Sequence, residues 1–265
     1  GFEIVSTGGT GGVIANADVP VTQVSNITGF PEILDGRVKT LHPKIHAGIL
    51  ARPNISNHLD QLADHDIDTF ELVAVNLYPF VKTVTESEVS LQDALENIDI
   101  GGPTLIRAAA KNFPHVIVIV DPADYKWIGE QLADNKPISF NDRQRLAHKA
   151  FQHVALYDTA ISKYLSTKDG YSNELTIGLS KVAELKYGEN PHQSAALYTE
   201  ILSSGGIVGS QKIHGAELSF NNVLDADSAW RIVSNFIQPA VAIIKHNNPC
   251  GLAIHDDQPT AYERA

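Results

Sequence analysis

The sequence predicts an α/β protein built around a parallel sheet, and two patterns support this prediction. Thr69–Leu77 and His115–Val120 are apolar nearly throughout, as expected of strands covered on both faces. Other segments, such as Leu91–Asn97 and Ser139–Tyr164, have the composition and spacing of helices. Strands that alternate with helices along the chain form parallel sheets, because each helix carries the chain back to the start of the next strand.

Composition excludes several classes of protein. The 265 residues are 43% hydrophobic and 19% charged, which is typical of a soluble chain with one or two domains. No apolar run approaches the ~20 residues of a membrane span, and no signal pattern opens the chain. A net charge of −11 without a basic block argues against nucleic acid as a partner. Cys250 is the single cysteine, which fits a reducing cytoplasm and excludes an internal disulfide.

The first predicted elements are a strand, Phe2–Ser6, a glycine-rich loop and a helix, Val13–Ala17. Glycines let backbone N–H groups approach a ligand, and a helix start favours an anion. The candidate phosphate-binding residues of this loop are Ser6, Thr7, Gly8, Gly9 and Thr10. The loop matches neither the GxGxxG nor the Walker pattern, so a flexible turn is the alternative interpretation.

After a second predicted strand, Val19–Val24, comes a segment rich in cations. Within residues 37–44 it gathers Arg37, Lys39, Thr40, His42 and Lys44. In an acidic protein, such a cluster usually binds an anion, because Arg and Lys offer several donors to a phosphate or carboxylate. A solvated loop is the alternative that the cluster alone leaves open.

The strand Thr69–Leu77, which follows a predicted helix at His58–His65, runs into Asn76 and Tyr78. Ligands of open parallel sheets lie at the carboxyl ends of strands, so these two residues are candidates for a site. The segment Ile98–Asn112 predicts a helix that starts near Gly102-Pro103.

Asp99 lies just before that helix start, and Arg107 and Lys111 share one helix face because they are four residues apart. The amides of the helix start, the carboxylate and the two cations could together hold a polar ring compound.

The later part of the chain contains further predicted helices, a linker and a second cluster of polar residues. Asp121-Pro122 opens a predicted helix, and Thr167–Asn173 is a candidate linker. A buried strand, Val241–Ile244, ends in Lys245 and His246 before a Pro/Gly turn, which aims a cation and a base at one place. A structural role for His246 is the alternative.

Seven motifs occur in one order: STGGT, GFPEILDGRVKTLHPKIHAGIL, VNLYPF, NIDIGGPTLIRAAAKN, KYGENPHQ, LSFNN and KHNNPCG. Together they resemble the bifunctional AICAR transformylase/IMP cyclohydrolase family of purine biosynthesis. The resemblance implies that residues 1–172 form the cyclohydrolase domain, with a fold like methylglyoxal synthase. Residues 173–265 would begin the transformylase domain, whose α/β layers resemble cytidine deaminase without the zinc. Relative to the family, we expect the chain to be truncated at both ends.

The resemblance also implies the last two steps of de novo IMP synthesis. In the first, 10-formyltetrahydrofolate formylates AICAR; in the second, the product FAICAR closes to IMP with loss of water. The folate would be a co-substrate, with no tightly bound cofactor and no metal. The resemblance implies a cytoplasmic homodimer. Because the folate-binding half of the family's transformylase is absent, we expect this chain alone not to transfer formyl groups.

For ring closure, the resemblance places the catalytic groups of Lys39, Tyr78, Asp99 and Lys111 around the reacting atoms. The loop at residues 6–10, with Arg37 and Thr40, would hold the ribose phosphate. The ring of the substrate would contact Asn76, Ile100, Gly101 and Gly102. A lysine beside a tyrosine or an aspartate suits proton transfer, although the sequence leaves open which group is the acid and which the base.

For formyl transfer, the resemblance makes His246 the base that deprotonates the AICAR amine, with Lys245 polarising the formyl oxygen. The substrate-binding residues of this domain would be Lys186, Tyr187, Asn221 and Asn222. Lys186 stands where the family commonly has Arg, and Lys lacks the bidentate geometry of a guanidinium.

Two other interpretations remain open. A metal site near His246 and Cys250 is one, but the sequence contains no CxxC or HxxxH ligand pattern. A methylglyoxal-synthase-like domain that senses a phosphate ligand without catalysis is the other. Tyr78, Asp99 and Lys111 favour an enzyme, because a sensor needs the phosphate loop but not three further titratable groups.

Overall fold

The computed structural model describes residues 2–86, 88–166, 171–203 and 205–265. It divides the chain into two compact units, Gly1–Gly170 and Tyr171–Ala265. The predicted linker, Thr167–Asn173, falls at this division, and its residues 167–170 lie outside the described part of the chain. Among the described residues, no helix has the length and the apolar composition needed to cross a membrane.

The first unit alternates short strands with helices. Its elements, in chain order, are β1 (Val5–Ser6), α1 (Gly8–Asn16), β2 (Thr22–Gln23), α2 (Val24–Thr28), α3 (Pro43–Leu50), α4 (Ser56–Asp64), β3 (Leu72–Ala74), α5 (Phe80–Thr85), α6 (Leu91–Glu96), α7 (Gly101–Lys111), β4 (Ile117–Ile119), α8 (Tyr125–Ala133) and α9 (Phe140–Leu165). A 3-10 turn, Pro122–Asp124, precedes α8.

The strands of this unit pair in parallel, as the sequence predicts, but they are short. β1 pairs with β2, and β3 pairs with β4, with Leu72 opposite Ile117. The predicted strand Thr69–Leu77 narrows to three residues, although Val75 N still donates to Ile119 O at 3.0 Å. Within residues 69–77, Val73 alone is buried and its neighbours are intermediate or exposed, so this strand is not covered on both faces as the apolar run predicted.

The core of the first unit lies around β4, whose three residues are all buried. Helices α7 and α9 pack on it, and α7 contributes the small buried residues Ala108, Ala109 and Ala110. Because these side chains are small, the buried face of α7 can pack closely against its neighbours. Asn112, just after α7, is also buried and donates from Nδ2 to the carbonyl oxygens of Ile49 and Ala51, at 2.8 Å each.

Two helix starts differ from the prediction, and the segment Ser139–Tyr164, whose pattern fits either one long helix or a broken pair, forms a single helix. α1 begins at Gly8 rather than Val13, so the glycine-rich segment forms the first turn of the helix instead of a loop before it. Asp121-Pro122 opens the 3-10 turn first, with α8 following at Tyr125. The predicted long segment is one helix, α9, and Ser139 caps it by accepting a hydrogen bond from Asp142 N.

The second unit consists of β5 (Leu179–Leu185), β6 (Ala195–Glu200), α10 (Phe220–Val233), β7 (Ala240–Lys245), β8 (Asn248–Ile254) and α11 (Gln258–Arg264). β5 and β6 form one antiparallel pair, and β7 and β8 form another. Among its described residues, the buried hydrophobic side chains are those of Ile201 and Ala261. This unit therefore encloses little apolar volume by itself.

Candidate functional site

The start of α1 presents backbone donors to solvent. Thr7 is the N-cap residue in an extended conformation, and its side chain makes no capping hydrogen bond. Gly11 N donates to Thr7 O at 3.1 Å, whereas the amides of Gly8, Gly9 and Thr10 have no acceptor among the described residues. Three free N–H groups at the positive end of a helix form a site for an anion such as a phosphate.

Lys39 lies against this helix start. A Cβ placed on Gly8 would lie 3.7 Å from Lys39 Nζ, and one placed on Gly36 would lie at the same distance from it. Glu32 Oε1 is 4.0 Å from Nζ, a weak ion pair. The turn before Lys39 contains Asp35 and Gly36 with φ of 53° and 86°, so the chain reverses sharply just before the lysine.

Thr40 lies against the start of α7. A Cβ placed on Gly101 would lie 2.7 Å from Thr40 Oγ1, and one on Gly102 would lie 2.5 Å from Asp99 Oδ2. A side chain at either position would therefore displace Thr40 or Asp99. Gly102 N donates to Asp99 Oδ1 at 2.7 Å, so this amide, predicted to contact the ring of a substrate, already has a partner. Asp99 Oδ2 accepts no hydrogen bond from the described residues, which leaves it available to a ligand.

Tyr78 belongs to the same neighbourhood. Leu77, the residue before it, reaches the start of α7, because a Cβ on Gly102 would lie 2.7 Å from Leu77 Cδ2. Burial raises the pKa of Tyr157, the hydrogen bond from the Asp99 backbone acts to lower it, and electrostatic interactions with Asp99, Asp158 and Tyr78 act to raise it. Tyr78 itself is 46% exposed. The structure thus brings together Lys39, Thr40, Tyr78 and Asp99 at two helix starts.

Two predicted binding residues have partners within the chain. Arg37 forms an ion pair with Glu96, at the end of α6. Asn76 Nδ2 donates to Tyr125 Oη at 3.0 Å, and the tyrosine hydroxyl is 3.2 Å from Asn76 Oδ1. All four side chains are exposed, so a ligand could compete for these contacts.

Lys111 does not join this group within one chain. It occupies the last turn of α7, the 11-residue helix whose first turn adjoins Asp99. At 1.5 Å per residue, the Cα atoms of Gly101 and Lys111 are about 15 Å apart. Lys111 instead lines an open groove of about 630 Å³ with apolar residues, Arg107 and His148. The prediction grouped Lys111 with Asp99 because both belong to one motif, but the two residues lie at opposite ends of α7.

In the second unit, the predicted binding residues lie at the start of α10. Lys186 N donates to Leu218 O at 2.9 Å, and Phe220 N donates to Tyr187 O at 3.1 Å. Asn221 Nδ2 donates to Glu189 O at 3.1 Å. Asn222 completes a capping box with Ser219, a structural task that the Ser-x-x-Asn spacing could have indicated. The KYGENPHQ and LSFNN motifs thus pack together.

Lys245 ends β7, and the turn to β8 consists of His246 and Asn247 rather than of the Pro and Gly residues that follow, which lie in β8. His246 and Asn247 have φ of 52° and 62°, a left-handed pair of the kind found in tight hairpins. Asn247 N donates to Asp225 Oδ1 at 2.7 Å, and Ser228 Oγ donates to Asn247 Oδ1. The turn carrying His246 is therefore fastened to α10, the helix that begins beside Tyr187.

Among the residues that the structure describes, no group of three or more His, Cys, Asp or Glu side chains is arranged to hold a metal ion. Sequence reasoning missed several residues that support the sites: Glu96, Tyr125, Tyr157, Asp225 and Ser228. Each acts through a contact with a residue distant in the chain, so no local pattern marks it.

Comparison with known proteins identifies two matching families. The model described as AICARFT/IMPCHase bienzyme matches residues 109–265, more than half of the chain. The model described as MGS-like domain matches residues 1–104. Among solved structures, one titled "Crystal structure of ForH" is similar, with 32% sequence identity and a TM-score of 0.55. The match covers 61% of this chain and 83% of that chain.

Proposed function

The chain belongs to the AICARFT/IMPCHase bienzyme family, and from this premise we propose that residues 1–172 catalyse the dehydrative closure of FAICAR to IMP. The family match confirms the resemblance drawn from the motifs, and an MGS-like domain comes first, as predicted. The family consists of enzymes of purine biosynthesis. The observation that supports cyclisation most strongly is the meeting of two helix starts at Lys39 and Thr40.

The start of α1 suits the ribose phosphate of the substrate, and the start of α7 suits the charge that develops on the reacting groups. The free amides of α1, with Lys39 beside them, would hold the ribose phosphate. At the start of α7, the free oxygen of Asp99 and the hydroxyl of Tyr78 would exchange protons with the reacting groups. The carboxamide nitrogen attacks the formyl carbon and a C–N bond forms. One proton from this nitrogen and one from the formamido nitrogen pass to the formyl oxygen, which leaves as water when the C–O bond breaks and a C=N bond forms. Both reacting groups belong to one molecule, so proximity is already supplied.

A catalytic role for Lys111 requires a second copy of the chain. The family resemblance assigns Lys111 to the cyclohydrolase, but one chain holds it about 15 Å from the start of α7. We therefore propose a homodimer in which the lysine reaches the site of the partner. The test is complementation: Lys39→Ala and Lys111→Ala, each inactive alone, should recover part of the activity when unfolded and refolded together. If mixed refolding recovers none, Lys111 is not shared in this way.

For residues 173–265 we propose a contribution to formyl transfer from 10-formyltetrahydrofolate, the co-substrate of the family's transformylase. His246 would take the proton of the AICAR amine and Lys245 would polarise the formyl oxygen, with Lys186, Tyr187 and Asn221 contacting AICAR. The fastening of the His246 turn to α10 supports this assignment, because a base needs a fixed direction. Isothermal titration of AICAR should show binding that Tyr187→Ala weakens and that the exposed-surface variant Tyr262→Ala leaves unchanged.

A phosphate-sensing domain without catalysis is the second candidate, because the free amides of α1 would serve either function. The decisive experiment is to mix the chain with FAICAR and follow IMP formation by ultraviolet absorbance. Turnover that Asp99→Asn lowers sharply would support the cyclohydrolase. Binding of FAICAR without turnover would favour the sensor.

A further inference from the structure

The hydroxyl of Tyr157, on α9, makes two hydrogen bonds to the segment that carries Asp99. It accepts a hydrogen bond from Asp99 N at 2.8 Å and donates one to Asn97 O at 3.1 Å. One side chain from a distant helix therefore holds both ends of the three-residue segment 97–99. The two bonds span 58 and 60 positions in the chain, so they fix this segment against α9. Local bonds to α6 hold Asn97 and Ile98, whereas the amide of Asp99 is held by Tyr157.

The ring of Tyr157 has little freedom to move. Its exposed fraction is 8%, and its ring packs edge-on against Phe80, with centroids 6.2 Å apart. Phe80 is itself only 1% exposed. Burial raises the pKa of the Tyr157 hydroxyl, so it stays protonated at neutral pH and can accept and donate at once. A rigid, protonated hydroxyl is well suited to fix the position of a turn.

The hydrogen bonds continue from Tyr157 to the candidate site. Asp99 Oδ1 accepts from Gly102 N at 2.7 Å, so Asp99 links α9 to the first turn of α7. Only one oxygen of the carboxylate remains for a ligand. Its direction depends on the backbone of Asp99, and that backbone depends on the hydroxyl of Tyr157. Ile100, the next residue, is 59% exposed and gives the segment little support from packing.

We propose that Tyr157 is a positioning residue for ring closure, acting through Asp99. Its hydroxyl sets the 97–99 segment and so determines where the free oxygen of Asp99 meets the substrate. This inference rests on the proposed cyclohydrolase function. Removing the hydroxyl leaves Asp99 N and Asn97 O without their partner, and the segment can then shift. Because a displacement of about 1 Å can cost about a hundredfold in rate, a small shift is sufficient to impair catalysis.

The test compares Tyr157→Phe with Tyr164→Phe. Tyr164 lies on the same helix and packs edge-on against the same Phe80 ring, at 5.6 Å, but its hydroxyl makes no hydrogen bond to a described residue. We expect kcat for FAICAR closure to fall about tenfold or more in Tyr157→Phe, with KM little changed, and to stay constant in Tyr164→Phe. An equal fall in both variants, or none in Tyr157→Phe, would overturn the proposal.

A double substitution distinguishes positioning from general support of the fold. In an Asp99→Asn background, adding Tyr157→Phe should lower the remaining activity no further, because the residue acts through Asp99. A further tenfold fall in that background would show that Tyr157 acts by another route.

Amide hydrogen exchange measures the same contact without any reaction. The amide of Asp99 should exchange faster in Tyr157→Phe than in the wild type, and at the wild-type rate in Tyr164→Phe. Unchanged protection in Tyr157→Phe would overturn the inference. If the wild-type chain fails to close FAICAR while this exchange difference is found, the proposed function fails and the structural role of Tyr157 stands.

Discussion

Lys39 Nζ lies beside Gly8, so the charged end of this lysine meets the first residue of α1. The next residue, Thr40, has its hydroxyl against Gly101, the first residue of α7. Two neighbouring side chains thus join the positive ends of two helices. Helix starts stabilise anions, so this junction can hold a phosphate on one side and a developing negative charge on the other.

Gly102→Ala should damage both the site and the fold. The added Cβ would lie 2.5 Å from Asp99 Oδ2 and 2.7 Å from Leu77 Cδ2, too close for either to stay in place. We expect loss of ring closure and a decrease of about 1–3 kcal/mol in the free energy of unfolding. Gly129→Ala, inside α8 with nothing within 4 Å of the new Cβ, is the control and should raise stability by about 0.5–1 kcal/mol. Equal stability changes in the two variants, measured by urea denaturation, would contradict the contact.

Asn112→Ala should destabilise the first unit. The side chain is 6% exposed and donates to the carbonyl oxygens of Ile49 and Ala51, which would lose this partner in the interior. We expect the free energy of unfolding to fall by about 1–3 kcal/mol. Asn57→Ala, at an exposed position of α4, should change it by less than about 0.5 kcal/mol. A wild-type unfolding midpoint in Asn112→Ala would show that these carbonyl oxygens do not depend on the amide.

The stability of the chain should fall at mildly acidic pH, in part through His153. Burial lowers the pKa of this imidazole below its ordinary 6.5, while Asp121 acts to raise it and Lys149 to lower it. The imidazole of His153 therefore binds a proton more readily in the unfolded chain than in the folded chain. The free energy of unfolding consequently decreases as the pH drops below 6.5. His153→Gln should flatten the dependence of the unfolding midpoint on pH between 5 and 7, where the exposed control His148→Gln retains it. An unchanged slope in His153→Gln would exclude this imidazole as the source.

The order of strands and helices could be predicted because the sequence signals for elements such as β4 and α7 lie within those elements. An apolar run marks a buried strand, and a glycine-proline pair marks a helix start, within a few residues of where each occurs. The same reasoning predicted the long helix that carries Tyr157 but gave the hydroxyl of this tyrosine no role. That role depends on the segment at Asn97 and Asp99, about sixty positions away, which only the folded chain brings near.

The candidate site shows the same limit. Lys39, Thr40, Tyr78 and Asp99 come from separate motifs, and the structure brings them together at two helix starts. The motif NIDIGGPTLIRAAAKN suggests that its two charged ends belong together, yet a straight helix separates Asp99 from Lys111. Residues of one motif lie close together in space where the backbone turns between them, and a straight helix such as α7 keeps them apart.

The role of Lys39 can be measured as the rate of IMP formation from FAICAR by Lys39→Ala, beside the wild-type chain and Lys126→Ala, which removes an exposed lysine of α8. We expect turnover in the wild type and in Lys126→Ala, and a loss of at least about a hundredfold in kcat/KM for Lys39→Ala, because the ammonium at the start of α1 is gone. Full activity in Lys39→Ala would exclude the junction of α1 and α7 as the site of ring closure.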